Sequence, residues 1–411
     1  MEASKIHTEN DQQRNISLWK NSNFLLLWGA NVTSLFGLQV YMIVMPLIIY
    51  DLSKSALAMS TMRMIEILPN ILLGIVAGVI VDRLSRKKIM TVTVVFQWLS
   101  IAGILLLLLF QGIQLWSLFL LGFIFSSSGY FFLNAYHSSI PQLISKEQLT
   151  DANAKFSFVD TMIRMIGPGI VGFVLAATSF QKTVSIQLIC ISAMFVLIRL
   201  IKVPLVDQKG KQNSFWIDVK EGIMELIGNK VLLTPTVAIL LINLSSSIII
   251  GILLFFAVDI IGVSESEVGL MLSLGAIGGL FGALLLKKLV RHFPRGKIFT
   301  YVLVFEFIGY GILVFANSWL VIGMALAIRT FAVTIVNIIY LAFRQEFTPN
   351  HLLGRVAGTT SMLMKLAMPV GFLFAGLWAE WLPVRHLFVL TTIIVSLIFI
   401  SLFRTRFYNI A

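Results

Sequence analysis

Apolar stretches long enough to cross a lipid bilayer recur from about residue 21 to residue 403, and this leaves the chain few options. A helix needs about 20 mainly apolar residues to span the hydrocarbon. Twelve stretches qualify: residues 22–49, 57–81, 89–110, 114–140, 153–178, 183–201, 231–258, 267–288, 297–316, 318–342, 356–378 and 384–403. At that depth no water is available, so only helices or a closed barrel can satisfy the backbone. Barrel strands alternate apolar and polar residues, whereas these stretches are apolar all round. The expected fold is an all-α polytopic membrane protein with twelve transmembrane helices. Composition agrees, at 58% hydrophobic and 12% charged. A soluble domain is nearer half apolar and a quarter charged. An ordinary soluble enzyme, a disordered chain and a nucleic-acid binder are thereby excluded.

The charges orient the spans. Of 31 Lys and Arg, 24 fall in segments or span ends that are cytoplasmic if the N-terminus is inside, and four lie in the interior of spans. The remaining three are Lys54, Lys182 and Arg385, in the opposite loops. Positive residues concentrate on the cytoplasmic side, so both termini are expected there. The net charge of +12 then reads as topology beside anionic lipid. Residues 1–20 are polar and lack a cleavable signal pattern, so they are expected to form a cytoplasmic tail. Residues 21–202 and 231–403 each hold six spans, 203–230 form a polar linker and 404–411 a second cytoplasmic tail. The linker's second part has the pattern of an interfacial helix, although a simple tether fits as well. The six-plus-six division suggests internal duplication. A short echo supports it: Gln142 to Leu149 and Gln345 to Leu352 are loops 203 residues apart with Gln and Leu at matching ends.

Three local patterns carry chemistry. The second span closes with Gly78, Asp82, Arg83, Arg86 and Lys87, a carboxylate among cations in a tight turn. The fifth span holds Asp160 and Arg164 on one face, then Gly167, Pro168, Gly169 and Gly172. There Pro168 frees a carbonyl one turn back and is expected to kink the helix. The loop from Arg344 runs through Glu346 and Pro349 to Gly354, Arg355 and Val356. The first pattern resembles the signature between helices two and three of the major facilitator superfamily, Gly-x-x-x-Asp-Arg/Lys-x-Gly-Arg-Arg/Lys, with Ser85 where the family has Gly. The second resembles a Gly-Pro-x-x-Gly element of proton-coupled antiporters. The third, with Phe24 to Gly29, Pro69 and Pro141 to Ile144, resembles the bacterial macrolide-efflux branch. That resemblance implies two pseudo-symmetric six-helix bundles, a monomer in the bacterial inner membrane, and a cytoplasmic gate at Gly78, Asp82, Arg83, Arg86, Lys87, Glu346 and Arg355.

Seven charged residues fall inside spans and away from their ends: Arg63, Glu66, Asp160, Arg164, Glu306, Arg329 and Lys365. A bare charge at that depth costs several kcal/mol, so each needs a partner or a watery cavity. Glu66 and Glu306 are the first candidates for carrying a proton, since neither has a cation one turn toward the C-terminus. Asp160 follows, weakened by Arg164. Asn31, Gln39, Asn134, Asn243 and Asn337 lie in spans one, four, seven and ten, which surround the central cavity in the superfamily. With Tyr136, Arg63, Arg164, Arg329 and Lys365 they are candidate cavity residues, although the amides could equally pair across helices.

No Gly-x-x-x-x-Gly-Lys-Ser/Thr loop occurs, so ATP is not expected as the driver. One Cys and no His-Glu-x-x-His leave neither metal nor other cofactor expected. The energy source would be the proton gradient. The leading expectation is export of a hydrophobic, amphipathic or cationic small molecule by alternating access, with membrane lipids as surroundings. A lipid or lysophospholipid transporter is the near alternative, and a non-transporting scaffold or sensor the distant one. An enzyme is not expected, because no nucleophile–base set shares one depth.

Overall fold

The computed structural model describes residues 17–74, 80–81, 84–110, 112, 114–202, 215–349 and 352–410, with the backbone alone at 215–219. The first bundle comprises α1 (Ser22–Ser53), α2 (Ala56–Leu72), α3 (Arg86–Leu109), α4 (Leu115–Leu143), α5 (Leu149–Ala177) and α6 (Phe180–Leu200). A linker helix, α7 (Phe215–Gly228), follows. The second bundle comprises α8 (Lys230–Phe255), α9 (Glu265–Leu289), α10 (Arg295–Val314), α11 (Trp319–Phe347), α12 (Leu353–Leu366), α13 (Met368–Trp381) and α14 (Val384–Phe403). Among the described residues, eleven helical segments are long and apolar enough to span, with α12 and α13 counting as one. The expected second span falls on α2, and its continuation over 75–79 lies outside the described residues. The chain is thus an all-α polytopic protein with a two-bundle architecture.

Side-chain oxygens set several helix starts. Asn21 accepts from the Phe24 amide, Ser55 from Ala58, and Ser264 with Glu267 closes a capping box on α9. At Pro369 the ring has no N–H for the Lys365 carbonyl one turn back, which separates α12 from α13. Asn243 of α8 donates to the Met364 carbonyl at 2.8 Å, beside that break. The amide expected to line a cavity there instead ties two helices together.

The bundles meet along two lines, α5 against α9 and α2 against α13. Both depend on small residues. A Cβ on Gly172 would lie 2.8 Å from the Gly269 Cα, and the Gly169 amide donates to Ser273 Oγ at 2.9 Å. Helix α5 runs from Leu149 to Ala177 with Pro168 inside it. The glycines around it serve close approach of the two bundles. Gln39 packs on Gly167, where a Cβ would meet its Cγ at 2.9 Å.

Within the second bundle, a Cβ on Gly278 of α9 would overlap the Ala327 carbonyl of α11, whereas Gly311 of α10 has open space around it. Gly278→Ala should lower the thermal unfolding midpoint in detergent by several degrees. Gly311→Ala should leave it unchanged or raise it, because Ala is the better helix former by about 1 kcal/mol. Equal midpoints for the two variants would contradict this packing.

Candidate functional site

A cavity of about 550 Å³ is enclosed by α1, α2, α4 and α5 of the first bundle. Its polar lining includes Asn31, Glu66, Asn70, Tyr136, Asp160 and Arg164. A second cavity of about 370 Å³ lies between α2 and α12, closed on one side by Ile223 of the linker helix. Asn70 and Tyr130 line both, so the two spaces adjoin.

Glu66 is the carboxylate most enclosed in the first cavity, with its side chain 8% exposed. Arg63, one turn earlier, donates to Glu66 Oε2 at 2.8 Å and to the Met42 carbonyl of α1 at 2.8 Å. Glu66 Oε1 is buried without a hydrogen-bond partner, and the Tyr41 hydroxyl lies close by without closing a standard bond. One carboxylate oxygen is therefore paired with a guanidinium and the other has only the Tyr41 hydroxyl nearby. Asp160 accepts from Arg164 at 2.9 Å, and this pair is more open, at 37% and 60% side-chain exposure. The Tyr136 hydroxyl is buried without a partner.

Glu306 and Arg329, isolated in the sequence, pair at 3.4 Å between α10 and α11. Tyr310 donates to Glu306 at 2.9 Å, Arg329 donates to Ser246 of α8 at 3.0 Å, and the guanidinium lies 4.5 Å from the Tyr310 ring centre. Glu306 is fully buried and Arg329 is 5% exposed. Neither lines the two cavities. Their cross-helix pairing was illegible in sequence because 23 residues separate them. Lys365 lines the second cavity and donates to Asn70 Oδ1 at 3.4 Å.

The other expected cavity residues have different surroundings. Asn134 donates to the Tyr130 carbonyl of its own helix at 2.8 Å, and Asn337 lies on an exposed face of α11. Gln39, Asn134, Asn243 and Asn337 line neither cavity. Of the expected gate residues, Gly78, Asp82 and Arg83 lie outside the described residues. Arg86 donates to the Ser138 carbonyl at 2.5 Å, and Lys87 to the Arg199 and Ile201 carbonyls at 2.8 and 2.6 Å. These cations reach carbonyls near the ends of α4 and α6. Glu346 accepts from Arg295 at 2.6 Å. Arg355 pairs with Glu221 of the linker helix, which docks α7 onto α12.

Sequence reasoning missed a set of contacts between the bundles. Glu380 of α13 accepts from Ser55 Oγ at 2.8 Å and from the Leu57 amide at 3.4 Å, placing a carboxylate on the N-terminus of α2. Asp259, in a π-helical turn after α8, accepts from the Tyr50 hydroxyl at 2.8 Å. Both acids sit at span ends. Acidic residues contribute little to the topology signal, so a count of Lys and Arg passes over them.

The profile of the Major Facilitator Superfamily matches residues 27–372, and the chain belongs to that family of membrane transporters. Macrolide efflux protein A of Streptococcus pyogenes is 22% identical over 379 residues, covering 91% of this chain and 93% of that protein. The multidrug efflux pump Tap of Mycolicibacterium fortuitum is 25% identical over 370 residues, covering 88% and 90%. The crystal structure of a bacterial homologue of the iron transporter ferroportin, in its inward-facing state, shares the fold. It has a TM-score of 0.74 at 19% identity and covers 95% of this chain and 99% of that one. Family membership makes the chain a multi-pass secondary transporter rather than an enzyme.

A buried pair that loses one member leaves the other uncompensated, at a cost of about 3–5 kcal/mol. Arg329→Met should therefore depress the unfolding midpoint more than the double change Arg329→Met with Glu306→Gln. A double variant no more stable than the single one, by thermal melts in detergent, would show that the charges are not coupled.

Proposed function

We propose that the chain exports hydrophobic or amphipathic compounds across the bacterial inner membrane, in exchange for protons, by alternating access. The single observation carrying this reading is Glu66 at the wall of the first cavity. It is a nearly buried carboxylate with one oxygen held by Arg63 and the other unpartnered. Protonation would release Arg63 and change the charge of the wall that a substrate meets. Substrate and proton would then compete for one state of the cavity. The efflux functions named for the Streptococcus pyogenes and Mycolicibacterium fortuitum proteins favour export. Glu306 is the weaker carrier, because Tyr310, Arg329 and Ser246 enclose it away from both cavities. Asp160 is next after Glu66, as its pair with Arg164 also faces the first cavity.

Hydrogen bonds tie the bundles together at the end marked by Tyr50, Ser55, Asp259 and Glu380, and at mid-depth. With both termini cytoplasmic, that end faces outward, and the arrangement supports an inward-facing state. Asp82, with Gly78 and Arg83, would supply the corresponding gate at the cytoplasmic end, backed by Arg86 and Lys87. Membership of a family of transporters favours transport over a sensor or scaffold.

Purified protein in liposomes with an imposed pH gradient tests the coupling. Glu66→Gln should abolish gradient-driven movement of a fluorescent dye or a macrolide while binding of the same compound stays measurable. Glu306→Gln, if folded, should remain responsive to the gradient. Full gradient-driven transport by Glu66→Gln would exclude Glu66 as the carrier.

A further inference from the structure

The seven ionisable residues expected within the spans do not share the same means of compensation. Arg63 holds Glu66, Arg164 holds Asp160, and Arg329 holds Glu306. Lys365 is the cation left over, and its hydrogen bond is to the neutral amide of Asn70 at 3.4 Å, near the long limit. It is partly buried on the wall of the second cavity. No acidic side chain lines that cavity among the described residues, and its other cation, Arg355, is paired with Glu221. A second polar group is also unspent. Thr359 is 7% exposed, lines the same cavity, and its hydroxyl has no hydrogen-bond partner. Between these groups the wall is apolar, with Ile71, Met362 and Leu363, and Ile223 of the linker helix.

A lone ammonium in a space walled by apolar side chains is costly unless something negative joins it. We infer that the second cavity is a subsite for an amphipathic anion, whose carboxylate, sulfonate or phosphate is held by Lys365 and whose apolar body lies along Ile71, Met362 and Leu363. Thr359 supplies a further donor. Asn70, on the other bundle, meets the same ammonium, so an anion arriving there displaces or joins a link between the bundles. Occupation of the subsite therefore bears on how tightly α2 and α12 are held at mid-depth. This deepens the transport reading, on which it rests for the role of the cavity in the cycle. The anionic group belongs either to a free amphipath or to a membrane lipid.

Binding without any gradient separates the subsite from transport. The probe is a dansyl-labelled undecanoate, with its methyl ester as the uncharged control, titrated into protein held in phosphatidylcholine nanodiscs. Wild type should prefer the carboxylate. Lys365→Gln should weaken carboxylate binding roughly tenfold or more and leave ester binding unchanged, while Lys365→Arg retains the preference, as loss of one charge-assisted contact requires. Equal binding of the carboxylate by wild type and Lys365→Gln would overturn the proposal, as would equal loss of acid and ester. Adding phosphatidylglycerol to the nanodisc identifies the source. Competition that Lys365→Gln abolishes means that a lipid headgroup occupies the site, and absence of competition means a free amphipathic anion; either supports the subsite. If wild type binds as expected but moves no dye under a pH gradient, the transport reading fails and the subsite stands.

Discussion

A charge at the depth of the hydrocarbon persists only where something compensates it, and what adjoins the compensated group separates the roles of the ionisable residues. Glu306 Oε1 accepts from Arg329 and Tyr310, with Ser246 of a third helix in the network, while Glu306 Oε2 is buried without a hydrogen-bond partner. Such a group fixes helix registers within the second bundle. Glu66 likewise has one oxygen held by an arginine and the other unpartnered, but it sits at the wall of a cavity. Lys365 has an amide in place of a carboxylate. The two carboxylates thus differ in place rather than in pairing, since Glu306 is shut inside a bundle whereas Glu66 and Lys365 adjoin the space where a substrate would sit. Incomplete compensation is the condition under which a proton or a charged ligand changes the local energy most.

The surface on which the bundles meet suits relative movement. Gly172 against Gly269 and Gly376 against Ser60 bring backbones together without long side chains interlocking. Small residues allow close packing and also allow it to be undone, because few side chains must change rotamer when the faces part. Glu380 on the N-terminus of α2 and Asp259 on Tyr50 are side-chain contacts at one end. Each exchanges readily for water when the bundles tilt. The interior of the second bundle is different, with Gly278 set against the Ala327 carbonyl and a buried ionic network beside it. Rigid bundles joined by a separable surface are the mechanical requirement of alternating access.

Much of the fold was legible because the hydrocarbon dictates length and polarity together. The spans expected at 89–110, 183–201 and 384–403 fall on Arg86–Leu109, Phe180–Leu200 and Val384–Phe403. The amphipathic pattern after the linker's polar stretch falls on the helix Phe215–Gly228. Local pairs were legible as well, since Arg63 with Glu66 and Asp160 with Arg164 are three and four residues apart on one helix. Pairing over longer separations was not, as Arg329 with Glu306 and Glu380 with Ser55 show. The amides illustrate a subtler limit. Asn31 lines the cavity, but Asn134 bonds its own helix and Asn243 a neighbouring one. A polar side chain in a span announces that it needs a partner; the sequence does not say whether that partner is backbone, another helix or cargo.

The central claim is that the closed end marked by Glu380 and Asp259 is one of two states of a moving structure. Phe110 and Phe315 lie just past the ends of α3 and α10, on different bundles, and are 80% and 81% exposed. Spin labels at these two positions report the separation of the bundles at that end. In lipid, the account predicts two distance populations, with the longer one growing when Glu380→Ala removes the carboxylate from the start of α2. A single distance distribution, unchanged by that substitution, by substrate and by pH, would contradict it.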